Sequence, residues 1–283
     1  GFDANDTGRL LVCLKVLEQH AGRGLGVADI VGRWDLAGTL IDDRLHSFRF
    51  GRFEDVHRSN YAHYVARGFR AWGYTVAPVY PASPQDEATD AEMRLVHDVA
   101  DLGSVGTEPH VLEAIELGYS DAARTIADML YTAQMRAYVE DGAIICASEG
   151  PLNRAPWFTY QGYQIGAAED AWTIETIDDL DEYRTAEFRA ATRMVSSKGA
   201  FLWSAVRPQA YSRLLLSYVR ARARTTDLGY ASGIFSATGE PTANYSDINT
   251  NGIILSAIAY ILGGRRPLLE TTMSRLPEGA PGE

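Results

Sequence analysis

Residues 120–138 have the sequence SDAARTIADMLYTAQMRAY and carry the clearest helical pattern in the chain. Ser120 suits the N-cap position of a helix. Apolar side chains then recur every three to four residues, at Ile126, Met129, Leu130, Ala133 and Ala137. This spacing puts them on one face of an α-helix, and that face needs a second element to cover it.

Similar patterns predict helices along most of the chain. Besides 120–138, they lie near residues 6–17, 27–34, 59–72, 91–102, 109–117, 183–194, 199–206, 209–223 and 249–262. In the first of these, Leu10, Leu14 and Leu17 share a face that Leu11 and Val12 extend, and Asp6 or Thr7 can cap the helix.

Predicted strands are few and short. One hairpin spans residues 38–53 with a turn at Asp42-Asp43, and a short apolar strand spans 142–147. Long parallel-strand runs are missing, which argues against a βαβ sheet. Paired helices separated by aromatic, Gly-rich loops predict a mainly α fold, an (α/α) toroid or barrel with short β-hairpins in its loops.

The predicted domain organisation is simple. Residues 1–270 are expected to form one domain, in which the Pro- and Asp-rich segment 78–107 is an inserted loop or small lobe. The Gly/Pro/Glu-rich residues 271–283 are expected to be a flexible tail. Because Gly1 immediately precedes a helix, we expect that further sequence of the same domain lies upstream.

Composition excludes several functional classes. The chain has 283 residues, 46% of them hydrophobic, and a net charge of −11, which argues against a nucleic-acid partner. No apolar run approaches the roughly 18 residues of a membrane span. The spacing of Cys13 and Cys146 favours two buried free thiols over a disulfide and fits no metal motif. The dispersed histidines add none, so we expect no metal and no cofactor.

Four loop segments concentrate polar and aromatic residues at helix starts or strand ends. They are residues 2–9 (FDANDTGR), 148–160 (SEGPLNRAPWFTY), 196–201 (SSKGAF) and 239–251 (GEPTANYSDINTN). Carboxylates, carboxamides and aromatic rings suit a carbohydrate, whose hydroxyl groups both donate and accept hydrogen bonds and whose ring faces stack.

These four segments, in this order, resemble the pattern of the family called DUF3131. The resemblance covers most of the chain, from Phe2 to Leu269, and includes Trp34-Asp35 as a W-D element. It implies a fold similar to the (α/α) toroids of bacterial glycoside hydrolases. The family pattern has a Tyr-Glu pair where this chain has Phe235-Ser236, which puts a family carboxylate, and with it catalysis, in doubt.

Glycoside hydrolysis needs two carboxyl groups facing one cleft, one protonated and one ionised. Glu149 is the best candidate for the acid, because it follows the apolar run 143–147 and burial there would raise its pKa. Asp6 is the candidate base or nucleophile, although an Asp at a helix start can serve only as a cap. For Glu149 the alternative is a loop contact, for example with Arg154.

Thirteen further residues are expected to bind the oligo- or polysaccharide. They are Asp3, Asn5, Arg9, Trp34, Asp35, Trp157, Tyr160, Lys198, Trp203, Tyr245, Asp247, Asn249 and Asn251. The aromatic members can equally be core residues, and the polar ones at helix starts can be caps. Lys198 is unusual, because the helix dipole disfavours a cation at a helix start.

The sequence therefore predicts a glycoside hydrolase-like enzyme that acts on a bacterial polysaccharide or β-glucan in the periplasm or outside the cell. The alternatives are a non-catalytic glycan-binding or accessory domain of a polysaccharide synthesis or export system, and a purely structural scaffold.

Overall fold

A computed structural model describes residues 1–21, 23–80, 103–164, 172–178, 180–226 and 229–269. The predicted helix at 91–102 and the predicted tail at 271–283 lie outside the described residues, as does most of the predicted lobe at 78–107.

The described part of the chain is mostly helical, which confirms the mainly α prediction. Its α-helices are α1 (Ala4–Ala21), α2 (Val27–Val31), α3 (Ala62–Ala71), α4 (Thr107–Glu116), α5 (Asp121–Asp141), α6 (Ala186–Thr192), α7 (Ser197–Val206), α8 (Ala210–Arg222) and α9 (Ile248–Leu262). Short 3₁₀ turns lie at Arg23–Leu25, Ala37–Thr39 and Asp181–Arg184. No described helix combines the length and the apolar character needed to cross a membrane.

Among the described residues the strands are short and pair in antiparallel fashion within four small sheets. They are β1 (Leu40–Ile41), β2 (Arg44–Arg49), β3 (Arg52–Asp55), β4 (Gly150–Pro151), β5 (Phe158–Tyr163), β6 (Trp172–Glu175), β7 (Met194–Ser196), β8 (Arg224–Thr226), β9 (Gly229–Tyr230) and β10 (Gly233–Phe235). Their pairings are β1-β2-β3, β4-β5-β6, β7-β10 and β8-β9. The predicted hairpin turn at Asp42-Asp43 is confirmed between β1 and β2.

Helices α4 and α7 form the centre of the molecule. Every residue of α4 is buried, and α7 is buried at all but three positions. Helix α4 packs against α5, α7 and α9, while α7 also packs against α8 and α9. One hydrophobic cluster runs from Ala4 in α1 to Ala257 in α9. A helix covered on all sides must pair its charged side chains internally, and α4 carries Glu108, Glu113 and Glu116.

The prediction for the apolar face of α1 is confirmed for Leu11 and Val12 and is wrong for Leu10 and Leu17. The buried face consists of Ala4, Gly8, Leu11 and Val12, whereas Leu10 and Leu17 are exposed. Small residues decide this choice. A Cβ on Gly8 would lie 2.5 Å from Val65 Cγ1 of α3, and one on Gly68 would clash with the Gly8 carbonyl oxygen. The two helix backbones therefore approach through their glycines.

Two smaller expectations also need correction. The predicted strand at 142–147 contributes only a single parallel bridge, between Cys146 and Val195. Cys146 is a buried free thiol as expected, but the free Cys13 is exposed. Cys13 follows Val12 on α1 and lies off the glycine-lined face that packs on α3.

Candidate functional site

A buried ion pair between Lys198 and Glu108 lies where α4 and α7 meet. The Lys198 side chain is 1% exposed and that of Glu108 is fully buried, with Nζ in contact with Oε2. Lys198 Nζ also donates a 2.9 Å hydrogen bond to Asn249 Oδ1 at the start of α9. Ser196 caps α7 by accepting from the Gly199 N–H, and so fixes the first turn that carries Lys198.

Arg9 is the second cation of this cluster. Its Nη1 lies 2.7 Å from Glu108 Oε1, and its guanidinium lies over the Tyr61 ring, 5.9 Å from the centroid. Burial alone would raise the pKa of Glu108, but Lys198 and Arg9 outweigh it and hold that pKa below its ordinary value. Glu108 is therefore an ionised carboxylate between two cations.

Glu149 is the second carboxyl group, and its environment is different. Its Oε1 lies 3.6 Å from Lys198 Nζ, and 12% of its side chain is exposed. Burial and the charge of Glu108 raise the pKa of Glu149, although Lys198, Arg9 and Tyr61 act in the opposite direction. The pKa values of these two neighbouring carboxyl groups are therefore shifted in opposite directions, which suits the groups to different protonation states.

Backbone hydrogen bonds hold Glu149 in place from both sides. The Ser196 N–H donates to the Cys146 carbonyl (2.8 Å), and the Thr107 N–H donates to the Ala147 carbonyl (3.0 Å). Beyond Glu149, β4 pairs with β5 through Gly150 and Thr159. This register puts Glu149 beside Tyr160. Arg154 has a different partner, the Ala191 carbonyl, so the expected loop contact with Glu149 is not formed.

Tyr160 connects the buried cluster to the surface. Its side chain is partly exposed, and its pKa is raised by burial and by the charges of Glu149, Asp6 and Asp3. Asp6 is exposed in the first turn of α1. The charges of Glu149 and Asp6 therefore both act on the Tyr160 hydroxyl and favour its protonated form.

Asp3, and neither Asp6 nor Thr7, caps α1. Asp3 Oδ1 accepts from the Asn5 and Asp6 N–H groups, while Oδ2 pairs with Arg49 of β2. Because Asp3 is the cap, the carboxylate of Asp6 does not cap α1. The Asn5 side chain accepts a 3.2 Å hydrogen bond from Ser59 Oγ.

Trp157 and Tyr245 lie on either side of the Leu152 backbone. The Leu152 N–H donates to the Trp157 carbonyl, and Tyr245 Oη donates to the Leu152 carbonyl at 3.3 Å. Trp157 is 64% exposed, with a left-handed φ of 68°, and Tyr245 is also exposed. Both rings are therefore available to a ligand. Trp157 lies three residues before Tyr160, and Tyr245 comes from the segment 239–251.

Several predicted ligand residues have structural roles instead. Trp203 is fully buried and packs edge-to-face on Tyr131, so it belongs to the core. Both polar atoms of the Asn251 side chain bind the Tyr230 backbone. Asp247 caps α9 through Oδ1. Asp35 accepts from the Gly38 N–H, and Trp34 packs partly buried against the core.

The sequence interpretation missed Glu108 and Tyr61. A signal was present: residues 107–117, TEPHVLEAIEL, contain glutamates at three positions among apolar residues on every side. A helix of that kind is buried, and its carboxylates need cations. No described cluster of three or more His, Cys, Asp or Glu residues has the arrangement of a metal site.

Comparisons with known proteins give one result. Neither the curated proteins nor the solved structures contain a match to this chain. The family model of DUF3131, described as a protein of unknown function, matches residues 1–264, and the chain therefore belongs to that family.

Proposed function

We propose that this protein is a glycan-active protein of the glycoside hydrolase type, in which Glu149 is the general acid. The observation that carries the proposal is the environment of Glu149: a largely buried carboxyl group, with a raised pKa, at the edge of an exposed aromatic and acidic surface. A general acid must hold a proton near the working pH and must reach the substrate. The raised pKa of Glu149 supports the first requirement, and its partly exposed side chain supports the second.

Asp6 is proposed as the second carboxyl group. It is exposed, it does not cap α1 because Asp3 performs that role, and its charge acts on Tyr160 together with that of Glu149. In the proposed reaction Glu149 donates its proton to the glycosidic oxygen as the C–O bond breaks. Asp6 either removes a proton from the attacking water or attacks the anomeric carbon itself.

The proposal also covers the detailed fold, the substrate and the cellular location. The chain-order pairing of α4 with α5 and of α7 with α8 is compatible with an (α/α) toroid. The proposed substrate is a bacterial oligo- or polysaccharide such as a β-glucan, and the proposed setting is the periplasm or the cell exterior.

The second candidate is a glycan-binding or accessory domain without catalysis. The observation in its favour is Phe235-Ser236 at the family's Tyr-Glu position. Phe235 packs on Leu152 and Met194, and the neighbouring Ser236 is exposed without a carboxylate. If the family's chemistry needs that carboxylate, this chain binds glycans without cleaving them.

The test is a comparison of the wild type with Glu149→Gln and Asp6→Asn on linear and cyclic β-glucans and other bacterial polysaccharides. For an enzyme, new reducing ends measured with Glu149→Gln should fall by about 10²-fold or more, the usual contribution of a general acid. Affinity measured by calorimetry should stay within a few-fold, because Gln keeps the shape of the side chain.

The control is Glu187→Gln, an exposed glutamate on the short helix α6. It should leave both cleavage and binding unchanged. Binding without cleavage by the wild type would select the accessory-domain function. Absence of both across the panel would reject a glycan function altogether.

A further inference from the structure

The tip of the β2-β3 hairpin carries an aromatic residue, Phe50, to which the candidate site described above assigns no role. Phe50 is 98% exposed. The pairing of Arg49 with Arg52 leaves Phe50-Gly51 as a two-residue turn, with φ values of 52° and 81°. Two positive φ angles define a turn in which Asn or Asp is favoured at the first position and a bulky residue is strained.

The first hairpin of the same sheet provides an internal comparison. Its two-residue turn, Asp42-Asp43, also has positive φ values, 53° and 59°, and uses side chains that tolerate this conformation. Phe50 lowers the stability of the fold for two reasons: its backbone conformation is strained, and its apolar ring is exposed to solvent. A residue that opposes stability in two independent ways suggests a function.

Trp157 shares this combination. The described non-glycine residues with a left-handed φ are Asp42, Asp43, Phe50, Trp157 and Arg265, and two of these five are exposed aromatic residues. Trp157 lies on the loop that follows Glu149, three residues before Tyr160.

The hairpin is attached to the same surface. Phe48 exchanges two 2.8 Å backbone hydrogen bonds with Phe2, and Arg49 pairs with Asp3. Arg49 is the last residue before the turn, so its pairing with Asp3 holds the tip of the hairpin against the start of α1, where Asp6 also lies. Phe50 follows Arg49 directly. The charges of Arg49 and Tyr160 also influence one another.

We propose that Phe50 is a second aromatic platform, which stacks on a sugar of an extended glycan at a distance from Glu149, while Trp157 stacks on another. This inference rests on the proposed function and narrows its substrate class to chains of several sugar units. The hairpin arginines pair with Asp3, Glu54 and Asp55, which leaves no net positive charge for a phosphate-rich ligand.

The test uses Phe50→Asn, which creates the Asn-Gly turn that this backbone favours. Wild type and variant are titrated with β-linked gluco-oligosaccharides of two to eight units. The advantage of the longest over the shortest chain should fall by about 5- to 10-fold or more in the variant, as the loss of one stacking contact implies. The melting temperature should rise by about 1–3 °C, because the strain is relieved.

The control is Leu262→Asn, which removes another highly exposed apolar side chain, 82% exposed, at the far end of α9. It should change neither affinity. A variant Phe50→Asn that melts higher and keeps the full chain-length advantage overturns the platform, even if the wild type binds glycans. A wild type that sediments as a dimer and becomes monomeric in Phe50→Asn overturns it too, since Phe50 then belongs to a contact between copies.

Discussion

Lys198 illustrates what could be predicted for a single residue. A cation at a helix start conflicts with the helix dipole, and this local conflict pointed to an unusual role from the sequence alone. Its partner was not predictable in the same way. Glu108 lies on another helix, and only the packing of α4 against α7 brings the two charges together. The helix-dipole rule identified Lys198 as unusual, and the packing of α4 against α7 explains why a cation is present there.

His110 leads to a prediction on pH dependence. Burial lowers its pKa from the ordinary 6.5 to about 4, with the Gly106 carbonyl and Glu113 opposing and His63 adding to the effect. Between pH 4 and 6.5 the imidazole of His110 is therefore protonated in the unfolded chain and neutral in the folded protein. The free energy of unfolding should therefore fall as the pH drops from 6.5 towards 4, by about 3 kcal/mol from this group alone.

Chemical denaturation of the wild type and of His110→Gln across pH 4.5–7.5 measures this effect. The variant should show the flatter profile, because Gln does not titrate. Glu113, whose pKa is lowered to about 2 by His63 and Arg67 against the effect of burial, loses its contribution only below about pH 4.5 and does not interfere. Equal slopes for the two proteins would show that His110 is not a buried neutral imidazole.

At the level of elements, hydrophobic periodicity predicted nearly every described helix to within a few residues, because helical caps and apolar spacing are local properties. The face of α1 was predicted only in part, since apolar counting included Leu10 and Leu17 with Leu11 and Val12 and ignored the glycines. The close contact of α1 with α3 depends on the space that a missing Cβ leaves, and no periodicity expresses that.

Gly8→Ala tests this packing. Alanine has the higher helix propensity by about 1 kcal/mol, but a Cβ here meets Val65 at 2.5 Å. We expect a net loss of about 1–3 kcal/mol in the free energy of unfolding, measured in urea. Gly252→Ala in α9 is the matched control, because nothing lies within 4 Å of the new methyl group, and it should gain about 0.5–1 kcal/mol. A stabilising Gly8→Ala would refute the close helix contact.

For the whole molecule, the sequence predicted a mainly α fold and several members of the candidate site, including Glu149, Lys198 and Arg9. It did not predict that one carboxylate, Glu108, joins them. Arg9 comes from α1, Glu108 from α4, Lys198 from α7 and Asn249 from α9. Such a network follows from the arrangement of four helices and has no signature within any one of them.

The network predicts energetic coupling between Arg9 and Lys198. Each single change, Arg9→Met or Lys198→Met, leaves Glu108 with one cation. The double change leaves a buried carboxylate unpaired, which costs about 3–5 kcal/mol, so the double loss should exceed the sum of the single losses by about 1–3 kcal/mol. Thermal and urea unfolding of all four proteins measure the coupling.

Two additional variants separate this explanation from general damage. Glu108→Gln in the double background should recover part of the stability, because it removes the unpaired charge. Arg136→Met combined with Lys198→Met should be additive, since Arg136 lies on the exposed side of α5. Additivity of Arg9→Met with Lys198→Met would mean that Glu108 is not shared.

The assembly of this network from four helices also bears on how such a protein can be inherited. The first contributor lies at residue 9 and the last at residue 249, so no shorter fragment of the gene encodes the complete cluster. Recombination within this span with a chain that lacks the partner residues would leave a buried charge unpaired. The cluster is therefore inherited intact only when residues 9 to 249 come from chains that carry all four members.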